Sequence, residues 1–444
     1  MGSGWVDGDD VFMIGRLSFL SNRLLGMRWK LVAIIFLIGF CMRAIVFTGT
    51  HEEGDELIYM NLVAQLDQGH GYTLHKSALL EQGFIDREQY DRPLFFHPPG
   101  GIALNWLFYE IFGTNGFPLV QILSYTLFFW SMMLLADSLR LLSTNLGMAL
   151  VAALTAFNPI MAHVTTKFWL DGPLLAFTTL AVSVFAWAVV QNKLSWGLIS
   201  GLLLGFASLV KAIAFLIIPG TVLMGWFLFK AQPKPAGKWR KKQLSPPSVR
   251  YLRFVFLLLV PAVIVQLPWE IWQWIVCGSP FPGWAGKPSV SLIATNNYVH
   301  YLTVIRPPWV YLTLTVRVLW TLIPAGLLYV VLWKRPLVRR QGTALIVWIL
   351  TVLLFHVSIG YYGYSKVLRY IILITPASVM LFPLLLNEAV EKIMNAEVGA
   401  YKRWGTVSLV AISALALILE ITAGIYATIA HNNDLIFPIL GKYY

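Results

Sequence analysis

Residues 230–276 read KAQPKPAGKWRKKQLSPPSVRYLR, followed directly by FVFLLLVPAVIVQLPWEIWQWIV. The second part, 254–276, is a continuous apolar run carrying a single charge, Glu270. As a helix rising ~1.5 Å per residue it is long enough to cross ~30 Å of hydrocarbon. The first part is Pro-rich, bears Lys230, Lys234, Lys238, Arg240, Lys241, Lys242, Arg250 and Arg253, and has no acidic residue. A flexible basic segment of this kind stays on the cytoplasmic side of a membrane. One stretch therefore predicts both a spanning helix and the side from which it starts.

The rest of the chain repeats the pattern. Of its 444 residues 58% are hydrophobic and 12% charged, against roughly a quarter charged in a soluble domain. Only helices and closed barrels satisfy their backbone in lipid. The runs here are continuous and Leu-rich rather than alternating, so the expected class is an all-α polytopic membrane protein. Eleven spans are expected, at about 29–48, 116–136, 146–163, 170–190, 195–210, 213–229, 254–276, 311–333, 342–359, 367–386 and 405–429. Most basic residues fall in the segments that a cytoplasmic N-terminus places inside. The net charge of +12 is thus a topology signal and not a nucleic-acid surface. Cys41 and Cys277 form neither a disulfide framework nor a metal motif.

This orientation predicts a cytoplasmic segment 1–28, a transmembrane domain 29–430 and a short outer tail 431–444. Two sizeable outer loops are expected, about 49–115 and 277–310. All eight histidines (His51, His70, His75, His97, His163, His300, His356 and His431) lie on that side or at its boundary, and nearly half of the acidic residues lie in the first outer loop. Chemistry is expected there.

His51-Glu52-Glu53-Gly54-Asp55-Glu56 places four carboxylates just beyond the first span. Gly54-Asp55 resembles an N-cap, Ile58, Leu62 and Leu66 recur at helical spacing, and Gly69 and Gly71 close the pattern. The expectation is an amphipathic helix on the membrane surface with Asp55 at its start. Crowded, partly desolvated carboxylates are held above their usual range, which suits a general base; the plainer reading is a cap in a solvated loop. Asp91-Arg92-Pro93-Leu94-Phe95-Phe96-His97-Pro98-Pro99-Gly100 follows. Its proline pair makes a rigid turn that would hold Arg92 and His97 near a phosphate or hydroxyl, and a short helix at about 101–112 comes next. Asp171, in Leu170-Asp171-Gly172-Pro173-Leu174, is either a cap of the fourth span or a second acidic group facing Asp55. Arg43, Lys211, Lys366 and Arg369 lie near outer ends of spans, where cations either snorkel or bind an anion such as a lipid phosphate.

Taken in order, these residues resemble a known family. Arg43 precedes Gly54-Asp55-Glu56-x-x-Tyr59-x-x-x-x-Ala64. Phe96-His97-Pro98-Pro99-Gly100 follows, then Leu170-Asp171-Gly172-Pro173-Leu174, Leu209-Val210-Lys211, Leu267-Pro268-Trp269 with Gly278-Ser279-Pro280, and Arg369-Tyr370. The set is similar to the GT-C glycosyltransferases, in the branch of protein O-mannosyltransferases and aminoarabinose transferases. The resemblance implies a sugar donor on a polyprenyl phosphate in the outer leaflet, and a glycolipid, glycan or protein acceptor. It also implies inversion at the anomeric carbon, with Asp55 as general base. On this reading Asp55, Asp171 and Glu56 are catalytic, and Arg369, Lys211, Arg92, His97, Tyr59 and Lys366 hold the donor phosphate and lipid. Trp284, Lys287, His300 and Tyr301 meet the acceptor. One departure is His97, where aminoarabinose transferases carry a lysine before the two prolines.

No cofactor is required on this reading. The alternative is a divalent cation on Glu52, Glu53, Asp55 and Asp171, with His51 beside them, carboxylates being suited to Mg²⁺. A transporter or lipid flippase is the competing class; it would place its ionisable groups at mid-membrane, often in repeated halves. The enzyme reading expects one cavity beneath the outer loops, faced by both Asp55 and Asp171.

Overall fold

The structure, a computed structural model, describes residues 27–47, 55–75, 98–232, 246–277, 307, 309–360, 368–394 and 400–429. Nearly all of them are helical. The helices are α1 (Met27–Val46), α2 (Asp55–Asp67), α3 (Gly100–Phe112), α4 (Gly116–Ser138), α5 (Asn145–Ala156), α6 (Pro159–Thr165), α7 (Asp171–Gln191) and α8 (Leu194–Val210). They continue with α9 (Ile218–Lys230), α10 (Pro247–Cys277), α11 (Val310–Val318), α12 (Leu322–Leu332), α13 (Thr343–Gly360), α14 (Thr375–Met394) and α15 (Ala400–Ile429). Tight 3₁₀ turns at Ala212–Ile217 and Leu368–Ile374 lead into α9 and α14.

Every expected span coincides with helix, but not every one is a full crossing. Among the described residues nine stretches are long and apolar enough to cross a membrane. The span expected at 195–210 is α8, a shorter apolar helix, and the one expected at 311–333 is broken, α11 and α12 meeting at 92°. The count of eleven complete crossings is therefore not reproduced. The short helix expected at 101–112 is present as α3.

Close packing rests on glycine where helices meet. α8 packs along α10 and α7. A methyl at Gly201 would come within 2.3 Å of the Leu257 carbonyl, and one at Gly205 within 2.6 Å of the Val265 side chain. Without a hydrophobic drive between helices in lipid, such small-residue contacts carry the association. Breaks are capped by side chains: Thr144 accepts from Gly147 N–H at the start of α5, and Asn158 accepts from Ile160 and Met161 N–H at the start of α6, with Pro159 in its first turn.

α2 differs from its expected form. Its buried face is Glu56, Tyr59, Leu62, Val63 and Gln65, while Ile58 and Leu66 are only half-buried. The helix turns Glu56 and Tyr59 inward against the bundle and packs on α3, which a helix merely floating on lipid would not do. Gly69 and Gly71, both with positive φ, turn the chain out of it.

Candidate active site

Four helix ends meet where α2 begins. Asp55 opens α2 and Asp171 opens α7; Lys211 follows α8, and Arg369 lies in the 3₁₀ turn before α14. Two ion pairs result. Lys211 Nζ donates to both oxygens of Asp171 at 2.9 Å, with the two side chains 10% and 0% exposed. Arg369 Nη2 donates to Asp55 Oδ2, with side chains 16% and 31% exposed. The second pair is partly exposed and the first is nearly closed off. The Arg369 guanidinium also stacks over Trp169, 4.5 Å from its ring centre. Asp171 is the first residue of α7 and makes no side-chain cap.

The turn 166–170 between α6 and α7 holds these groups in place. Phe168 N–H donates to Glu56 Oε1 at 2.6 Å, so the buried Glu56 carboxylate ties α2 to this turn. Gln121 on α4 donates to the Trp169 carbonyl at 3.0 Å, and His163 packs edge-on against Trp169. Tyr59 lies beneath the pairs, 1% exposed. Burial, and then the Asp55 carboxylate, hold its hydroxyl well above the usual phenol range, with Arg369 opposing. It therefore stays a neutral O–H in the floor of the site.

Other expected participants are placed elsewhere. Arg43 is buried, donating to Thr165 Oγ1 at 2.8 Å, to the Gly39 carbonyl at 2.9 Å and to the Ala156 carbonyl at 3.2 Å, with Tyr125 under its guanidinium; all three of its nitrogens are used inside the protein. His356 is buried, its Nδ1 on the Val352 carbonyl. His51, Glu52, Glu53, Arg92, His97, Trp284, Lys287, His300, Tyr301 and Lys366 lie outside the described residues. Among the described residues no group of three or more His, Cys, Asp or Glu is placed to hold a metal ion. Sequence reasoning missed Trp169. Its place in the Phe168-Trp169-Leu170-Asp171 run was visible, but its contact with Arg369 joins residues far apart in the chain.

Beside the ion pairs lies an apolar groove of about 310 Å³ lined by Tyr72, Pro99, Leu209, Val265, Pro268, Trp269 and Trp272. Neither Asp55 nor Asp171 lines this groove, and most of the two outer loops expected to roof a shared cavity lies outside the described residues. The two features are nevertheless adjacent. Gly100 and Gly101 sit against Leu209, Val210 and Leu170, the residues that lead into Lys211 and Asp171. A methyl at Gly101 would come within 2.8 Å of the Leu170 side chain. The start of α3 is thus wedged between the groove wall and the buried ion pair.

Residues 96–272 match the family model described as dolichyl-phosphate-mannose-protein mannosyltransferase. No curated protein matches the chain by sequence. Among solved structures, the Archaeoglobus fulgidus oligosaccharyltransferase tethered to an acceptor peptide superposes with a TM-score of 0.52 at 15% identity, over 93% of this chain and 56% of the other. ArnT from Cupriavidus metallidurans in the apo state gives 0.50 at 16% identity, over 95% and 76%. The archaeal enzyme AglB, in complex with an inhibitory peptide and a dolichol-phosphate, gives 0.51 at 16%, over 89% and 56%. This chain spans little more than half the length of the archaeal structures that it matches. The chain is a membrane protein with the GT-C fold of these structures, and its residues 96–272 are similar to the mannosyltransferase family model.

Proposed function

We propose that the protein is a glycosyltransferase that moves a sugar from a polyprenyl-phosphate carrier to an acceptor on the extracytoplasmic face of a plasma membrane. The observation that carries this reading is the Asp55–Arg369 pair, open to a ligand at the edge of an otherwise buried ionic cluster and close to an apolar groove. A polyprenyl chain is too apolar to leave the bilayer, so its phosphate waits at the interface, where a guanidinium can hold it. The distribution of Lys and Arg supports an external site. The match to a mannosyltransferase family model and the dolichol-phosphate in the archaeal relative support a lipid-linked donor.

In the reaction an acceptor hydroxyl or amide attacks the anomeric carbon and gives its proton to Asp55. The bond between that carbon and the phosphate oxygen breaks, and its electron pair stays on the phosphate, held by Arg369. Attack from the face opposite the phosphate inverts the anomeric centre. Asp171 and Lys211 neutralise one another below this pair and keep the helix ends of α7 and α8 together; we assign them support rather than direct contact. Glu56 sets the position of α2 through Phe168. A divalent cation is not needed for any of these steps.

Asp55→Asn tests the assignment. It keeps the shape and the hydrogen bond to Arg369 but cannot take a proton. Transfer from a polyprenyl-phosphate sugar by the purified variant should fall to background with the fold intact by thermal melting; near-normal transfer removes Asp55 as the base. Among the described residues, the broken span of α11 and α12 is a feature that suits a transporter or flippase. That reading predicts movement of the lipid across sealed vesicles with its sugar still attached, measured as a change in the leaflet from which the sugar can be reached.

A further inference from the structure

α15 is mostly a lipid-facing helix, with Ile412, Leu415 and Ile418 more than half exposed. Within it one carboxylate, Glu420, turns inward and is 1% exposed. A carboxylate at this depth is costly unless its oxygens are engaged, and those of Glu420 are. Oε2 accepts from Thr321 N–H at 2.9 Å and from Thr321 Oγ1 at 2.7 Å. Oε1 faces Asn158 Nδ2 at 3.5 Å. One turn further along, Gly424 lies so close to the Phe157 carbonyl that a methyl there would overlap it at 1.6 Å.

These partners are not scattered. Asn158 caps the start of α6, at the break from α5. Thr321 stands at the 92° break between α11 and α12, as the residue just before α12. A helix break leaves N–H groups without intrahelical partners; Glu420 accepts the Thr321 N–H at one break and meets the side-chain amide of the capping Asn158 at the other. The outer halves beyond them, α6 and α11, both pack against the turn Leu368–Ile374 that carries Arg369. α6 also leads into the turn whose Trp169 stacks on that guanidinium.

We infer that Glu420 is a positioning residue of the site: the last helix uses it to lock two helix breaks whose outer halves hold Arg369. The inference rests on the reading of Arg369 as the phosphate-holding group. It makes Glu420 an indirect contributor that touches no substrate.

The test is binding of sugar-free polyprenyl phosphate to the full-length protein in lipid nanodiscs, alongside thermal melting. Glu420→Ala should weaken binding by about fivefold to twentyfold, inside the roughly twofold to thirtyfold span of coupling between distant sites. Glu420→Gln, whose amide oxygen still accepts from Thr321, should recover most of that loss. A purely structural residue would lower the melting temperature and leave affinity within twofold of wild type, which overturns the inference, as does a Gln variant as weak as the Ala variant. Should the Ala variant fail to fold, Thr321→Val removes one donor and leaves the carboxylate in place; about a threefold loss of affinity supports the inference and no change refutes it. Absence of saturable binding by the wild type sinks the lipid-phosphate reading and this inference together. Wild-type binding that is indifferent to Glu420 and to Thr321 sinks only the latter.

Discussion

At the scale of single residues, the two ion pairs differ in what a ligand can do to them. Asp171–Lys211 is closed off; Asp55–Arg369 is reachable. A phosphate seeking Arg369 must therefore compete with Asp55. Charge-assisted contacts are worth roughly 1.5–3 kcal/mol, so Arg369→Ala should weaken donor binding by about one to two decades, read as a rise in the dissociation constant. The competition gives an opposite expectation for its partner. Asp55→Asn, inactive in transfer, should bind sugar-free polyprenyl phosphate about threefold to tenfold more tightly than wild type, because the guanidinium is no longer drawn to a charge. A titration showing equal or weaker binding would mean that Asp55 aims Arg369 at the ligand instead of restraining it. The sequence made Asp55 and Arg369 visible separately, through Gly54-Asp55-Glu56 and Arg369-Tyr370. It could not reveal that they are partners, since the contact spans 314 positions. The same blindness hid Glu420, although a lone carboxylate in an apolar run was itself a signal.

At the scale of elements, the apolar runs located the helices well because span length in lipid is set by the bilayer and not by distant packing. What they did not convey was continuity. The run at 311–333 carries Pro324 and Gly326 just after the 92° break, but its unbroken hydropathy reads as one span, and the contact of Glu420 with the break joins residues far apart in the chain. The spacing of Ile58, Leu62 and Leu66 in α2 marks one apolar stripe, whereas the buried face also takes in Glu56, Tyr59, Val63 and Gln65. Tertiary hydrogen bonding of Glu56 to Phe168 rotates a neighbouring face inward. The α8–α10 contact is tighter than periodicity suggests, and it supports a prediction at this scale. Gly205→Leu must displace Ala262 or Val265 on α10, and overpacking typically destabilises by about 1–3 kcal/mol. The variant should melt at lower temperature; an unchanged melt would mean that α10 shifts without penalty.

At the scale of the whole molecule, the bundle gathers Asp55, Asp171, Lys211 and Arg369 at one set of helix ends, and their pairing has a kinetic meaning. With both pairs formed, the charges of Asp55, Arg369, Asp171 and Lys211 cancel, so the pairs themselves neither draw an anion in nor repel it. Transfer changes that balance twice. Asp55 becomes neutral as it takes the acceptor's proton, and the carrier's phosphodiester becomes a more highly charged phosphomonoester. Arg369 then has every reason to stay with the spent lipid. Only when Asp55 gives up its proton to water does a competitor for the guanidinium return. On this reading the partly exposed ion pair acts as an ejector: its re-formation after each turnover competes the used carrier off Arg369 and back into the leaflet.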